Sequence, residues 1–147
     1  MEDGSHVEHT IATPTLKEIN RLCTNTLVTH LGIEITEYSK NHITGTMPVN
    51  ETTRQPMGFL HGGATLSLAE TIASIGSAMQ TDLTKYHVFG VQVTGNHVNT
   101  VRSGIVTATG KLLHKGRTSH VWDCDIRDQN HKLISVVRVS IAVVEKK

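Results

Sequence analysis

The chain has 147 residues, of which 37% are hydrophobic and 18% charged, and its formal net charge is +1. That size and mixture describe one globular domain around one core rather than a disordered or membrane-embedded chain. The near-neutral balance, with no cluster of Lys and Arg, excludes the electrostatic footprint of a nucleic-acid binder. No segment nears the roughly 18 apolar residues a membrane span needs. The first thirty residues hold no apolar signal-peptide core either, so the sequence reads as cytoplasmic with no membrane partner.

Residues 1–13 are polar and aperiodic and read as a flexible tail; residues 14–147 read as a single domain. Leu16, Ile19, Leu22, Cys23 and Leu27 recur at helical spacing, and Pro14 suits a first turn, so a short amphipathic helix is expected. Leu31–Glu37 and Asn41–Val49 carry β-branched residues around Ser39-Lys40-Asn41 and read as a hairpin. Four further strands, Val88–Val98, Gly104–Leu112, His120–Ile126 and Leu133–Val144, follow in succession and are expected to form an antiparallel meander. In the last of them Leu133, Val137, Val139, Ile141 and Val143 share one face, so that face is buried.

Between hairpin and meander lies Gln55 to Ser77, a run of small and apolar residues interrupted by Glu70. Leu68, Ile72, Ile75 and Met79 form one helical stripe; Ser67, Glu70, Ser74 and Ser77 form a second, polar one. The alanines among them permit close packing, so a long helix nearly enclosed by sheet is expected, an α+β architecture. Glu70 alone reads as a solvated helix glutamate; the preceding His61-Gly62-Gly63 and Gln55 make it a candidate reactive carboxylate.

The order Gln55-Pro56-x-Gly58-x-x-His61-Gly62-Gly63 followed by Ala69-Glu70 resembles the hot-dog-fold acyl-CoA thioesterases. Thr53-Arg54-Gln55-Pro56, Leu68-Ala69-Glu70, Asn96-His97-Val98 and Leu113-His114-x-Gly116-Arg117 are similar to the branch acting on aromatic acyl thioesters, including the 1,4-dihydroxy-2-naphthoyl-CoA thioesterases of menaquinone biosynthesis. The similarity runs from about Leu31 to Val144. It implies an antiparallel sheet wrapped around one long helix, with Glu70 as nucleophile or general base and the Gly62 N–H as oxyanion donor. Gln55 and His61 would then orient the thioester, with the Ser74 hydroxyl one turn beyond the carboxylate. Met57, Phe59 and Leu60 are expected to line the acyl pocket. His97, Arg102, His114, Lys115, Gly116 and Arg117 are expected to bind coenzyme A, which enters only as part of the substrate; no other cofactor is expected.

Gly62 and Glu70 are eight residues apart, about 12 Å along a helix axis. Each must lie within roughly 3–3.5 Å of the reacting carbonyl, so the two should come from different chains. A homodimer with shared active sites is expected, paired again into a tetramer. A carrier-protein thioester is an alternative substrate, with an aryl-carrier proofreading thioesterase as the corresponding enzyme. A hot-dog hydratase or dehydratase and a non-catalytic acyl-CoA-binding module are the other readings. The ten histidines suggest no metal site, since no His-x-x-x-His or Cys-x-x-Cys pair supports one. There is also no phosphate-binding Gly-rich loop and no Gly-x-Ser-x-Gly elbow.

Overall fold

The computed structural model describes residues 12–147, so the expected tail lies outside the described residues except for Ala12 and Thr13, both exposed. The first helical segment is two helices rather than one, α1 (Leu16–Leu22) and α2 (Leu27–His30). Asn25 takes a left-handed conformation (φ 60°), which ends helical continuity, and Thr26 caps α2 by accepting the Val28 N–H. Pro14 precedes the helix; Thr15 is the N-cap, in a capping box with Glu18. Of the apolar residues in these helices only Ile19 is fully buried, while Leu22 and Leu27 are 77% and 62% exposed.

The hairpin is β1 (Glu34–Tyr38) and β2 (His42–Pro48). The long helix is α3, Gly62–Ala78, and the later strands are β3 (Tyr86–His97), β4 (Ile105–Lys115), β5 (Ser119–Asp128) and β6 (Leu133–Glu145). They form one six-stranded antiparallel sheet in the order β1-β2-β4-β5-β6-β3. The expected four-strand meander is therefore corrected. Only β4-β5-β6 is a meander, and β3 crosses over to pair with β6 at the far edge. Local turn signals mark where strands end but not which strand a long run selects as partner.

The inward residues Ile43, Met47, Val106, Ala108, Trp122, Ile126, Val137, Val139 and Ile141 close over Leu68, Ala69, Ile72 and Ala73 of α3. Gly45, Gly76 and Gly110 bring helix and sheet together, since a Cβ on Gly45 would stand 2.8 Å from the Ile72 side chain and one on Gly76 2.7 Å from the Trp122 ring. Ser77 belongs to this buried face and not to the polar stripe: it is fully buried, and its Oγ accepts the Trp122 Nε1–H at 2.8 Å. An indole N–H inside a core needs such a partner. This is the α+β hot-dog arrangement, a sheet wrapped around one long helix.

Candidate active site

Helix α3 starts where the chain leaves a tight loop tied across its base. His61 N donates to Thr53 O, Leu60 N to Val101 O and Gln55 N to Phe59 O. His61 is the N-cap, and its Nδ1 accepts the Gly63 N–H at 2.8 Å. That acceptance places the imidazole proton on Nε2. Gly62, at the first helical position, donates its N–H to no acceptor among the described residues. A free N–H at the positive end of a 17-residue helix is an anion-facing donor.

Gln55 is oriented by its own loop: its Oε1 accepts the Met57 N–H, leaving Nε2 as a donor. Gln55, Phe59, Leu60, Gly62 and Thr65 line one cavity of about 320 Å³, together with His97 and Ser135. His97 packs on the helix start, where a Cβ on Gly62 would stand 2.6 Å from its Nε2, and its Nδ1 shares a 2.8 Å hydrogen bond with Ser135 Oγ. His97 therefore joins the Gly62 half of the site. Arg102 lies over the Phe59 ring at 3.8 Å and donates to Met57 O, bracing the loop. Met57 is 70% exposed and lines neither this cavity nor the next.

Glu70 and Ser74 line a different cavity, of about 480 Å³, between α3 and the α1–α2 segment, with Ser67, Thr71, Ile75 and Cys23. Glu70 is half-buried and lies against the backbone of Gly90 in β3. There the β3–β6 register shifts between Gly90 and Gln92, a bulge that re-aims the edge beside the carboxylate. Burial pushes the Cys23 thiol up, and burial pushes that of Cys124, in the core, up to about 12. Neither is set up as a thiolate nucleophile.

The expected site residues thus fall into two groups in one chain. Gln55, Phe59, Leu60, Gly62 and His97 meet in the first cavity and Glu70 with Ser74 in the second, while His61 caps the helix beside the first. His114, Lys115, Gly116 and Arg117 sit in and beside the β4–β5 turn and line neither. Trp122 packs on Gly76 and His120 lies one pleat further on, so this turn lies toward the C-terminal end of α3, away from Gly62. Two contributors escaped the sequence reading. Ser135 gives no signal among the valines of β6, whereas Gly90, a glycine inside a strand, marks a close backbone approach.

A helix-terminal N–H with an amide and an imidazole beside it can hold a developing oxyanion, and a carboxylate can attack or activate water. Known proteins similar to this chain are named for thioester chemistry. Residues 57–135 match the model of the thioesterase superfamily. A solved mutant thioesterase from Pseudomonas aeruginosa superposes with a TM-score of 0.89 at 37% identity, over 92% of this chain and 98% of that one. A 1,4-dihydroxy-2-naphthoyl-CoA hydrolase of Listeria monocytogenes is 38% identical over 117 residues, 80% of this chain and 94% of that one. The proofreading thioesterase EntH of Cronobacter turicensis is 38% identical over 130 residues, 88% of this chain and 94% of that one. With family model, sequence relatives and superposed fold in agreement, the chain belongs to the thioesterase superfamily and is a thioester hydrolase of hot-dog fold.

Proposed function

We propose that this chain hydrolyses acyl-CoA thioesters carrying an aromatic acyl group, at composite sites in which Gln55, His61 and Gly62 of one chain face Glu70 and Ser74 of another. The observation that carries this reading is the free Gly62 N–H in one cavity and the Glu70 carboxylate in a second, about 12 Å further along the same helix. Neither cavity holds both an oxyanion donor and a reactive carboxylate.

Strand β3 supports the pairing of chains. Among the described residues it bonds to β6 on one side only, and Phe89, Val91 and the following Val98 are 53%, 65% and 51% exposed on that edge. A twelve-residue edge with such side chains is a template for a second strand. Two chains joined there around a two-fold axis bring each chain's Glu70, beside Gly90 of β3, toward its partner. A further pairing of dimers into a tetramer belongs to the same reading.

In the reaction, the Gly62 N–H takes the charge that develops on the carbonyl oxygen, while Gln55 Nε2 and His61 Nε2 fix its orientation. Glu70 either adds to the carbonyl carbon or removes a proton from the water that does. The acyl carbon gains the water oxygen, and coenzyme A leaves as the thiol with a proton. No cofactor is called for beyond the coenzyme A of the substrate. Arg102, with Lys115 and Arg117 of the turn that also holds His114 and Gly116, supplies the cationic groups offered to its phosphates.

The relative that hydrolyses 1,4-dihydroxy-2-naphthoyl-CoA supports an aromatic acyl group, and the proofreading relative supports a second reading in which the thiol belongs to a carrier protein. Thiol release from 1,4-dihydroxy-2-naphthoyl-CoA, benzoyl-CoA and a benzoylated carrier, by wild type and Glu70→Ala, tests both. Glu70→Ala is expected to lower kcat on the order of 10²-fold with a smaller effect on KM. Near-wild-type turnover would remove Glu70 from the mechanism.

A further inference from the structure

The β3–β6 ladder ends on a pair that breaks its pattern. Its inward register pairs Val93 with Val139 and Gly95 with Val137 are apolar or glycine, but the next inward pair is His97 with Ser135. Polar groups are costly on a sheet face that packs on a helix, and an exception to the inward pattern marks a position with a task. Ser135 is fully buried, and its Oγ has one hydrogen-bond partner among the described residues, His97 Nδ1 at 2.8 Å. A buried hydroxyl proton with no acceptor is unfavourable, so the Ser135 O–H donates and His97 Nδ1 accepts. The imidazole proton then sits on Nε2, which makes that nitrogen a donor.

That nitrogen faces the start of α3. A Cβ on Gly62 would stand 2.6 Å from His97 Nε2. Since a Cβ lies about 2.5 Å from its own backbone nitrogen, His97 Nε2 and Gly62 N are no more than about 5.1 Å apart. One oxygen accepting hydrogen bonds of about 2.9 Å from two donors bridges a gap of up to about 5.8 Å between them. Gly62 and His97 line the same cavity. We propose that His97 Nε2–H is a second donor to the oxyanion that forms at the Gly62 N–H, and that Ser135 is the positioning residue that fixes its tautomer and direction. This rests on the reading above that the thioester carbonyl oxygen sits at Gly62. The imidazole keeps its proton throughout and donates a hydrogen bond that strengthens as negative charge builds on the oxygen. The role differs from the sequence expectation, in which His97 binds coenzyme A.

The test measures kcat and KM on benzoyl-CoA and on S-benzoyl-N-acetylcysteamine, a thioester without the nucleotide and its phosphates. The full chain is compared as wild type, His97→Ala, His97→Gln, Ser135→Ala and the double variant, with Gln55→Ala reporting on the underlying site. His97→Ala is expected to lower kcat on the order of 10²-fold on both substrates, the scale of losing one oxyanion donor. His97→Gln, whose amide N–H reaches the Nε2 position, should recover part of that loss. Ser135→Ala should lower kcat roughly tenfold with His97 present, but by less than about twofold once His97 is Ala, as two residues acting as one unit do. A loss confined to benzoyl-CoA and carried in KM would make His97 a nucleotide contact and overturn the proposal. So would His97→Ala turnover within about twofold of wild type while Gln55→Ala is impaired. Equal Ser135→Ala losses in both backgrounds would make that serine merely structural and overturn its positioning role. Full turnover of both thioesters by Gln55→Ala, or none by wild type, would instead overturn the underlying placement of the thioester, and this inference with it.

Discussion

Glu70 lies so close against Gly90 that a Cβ at position 90 would come within 2.1 Å of Glu70 Oε1 and 2.9 Å of its Cδ. The strand backbone is the wall that sets the carboxylate's direction. Because the clashing atoms are the end of a flexible side chain, Gly90→Ala is expected to rotate Glu70 rather than move the strand. Stability should then change by less than about 1 kcal/mol, while kcat falls roughly tenfold or more, as misplacing a reactive group by about 1 Å does. Urea midpoints and kcat measured on the same preparation check this; a parallel loss of both would mean that the backbone has shifted.

The proposed division of the site between chains has a consequence in mixed oligomers. Gln55→Ala damages the Gly62 half and Glu70→Ala the carboxylate half. In a heterodimer of the two, one composite site carries both changes and the other carries neither. Mixing the two inactive variants through unfolding and refolding is expected to restore about a quarter of wild-type activity for random two-fold pairing. Activity that stays at the level of the separate variants would place both groups in one chain's site.

Ser77 and Trp122 offer a test of the core without touching the chemistry. Ser77→Ala leaves the buried Trp122 Nε1–H without its 2.8 Å acceptor. The expected cost is about 1–3 kcal/mol, the penalty of an unsatisfied buried donor. Trp122 is the chain's one tryptophan, so its fluorescence reports unfolding directly.

His120 sets a pH dependence. It is 2% exposed, its Nδ1 has no partner among the described residues, and burial, then the nearby Lys115 and His114, hold its pKa below the ordinary 6.5. The unfolded chain therefore binds a proton at a pH where the folded chain does not, and protonation favours unfolding. Stability should fall as pH drops below about 6.5, by at most about 1.4 kcal/mol per pH unit from this group. His120→Leu is expected to flatten that part of the profile in denaturation curves taken from pH 7.5 to 5; an unchanged slope would assign it to other histidines.

Much of the fold was legible in local pattern. The hairpin, the helix beginning at Gly62 and the later strands lie within a few residues of where alternation and breakers put them. The segment around Cys23 was less so, because a left-handed Asn25 divides what the apolar spacing ran together. Ser77 kept helical register with Glu70 and Ser74 yet turned inward, since its hydroxyl is consumed by Trp122, 45 residues away. His97 likewise stands against Gly62 through a bond to Ser135 that no spacing in the chain announces.

By itself the sequence determined the elements, the buried helix and the residue types that thioester chemistry needs, because periodicity, capping and motif order are properties of neighbours along the chain. Only the tertiary structure decided that β3 leaves the meander for the far edge, that Gly90 backs Glu70, and that Gln55–Gly62 and Glu70–Ser74 open into separate cavities. Those are matters of which distant segments touch, and long-range pairing is chosen by the packing of the whole core rather than by any local stretch.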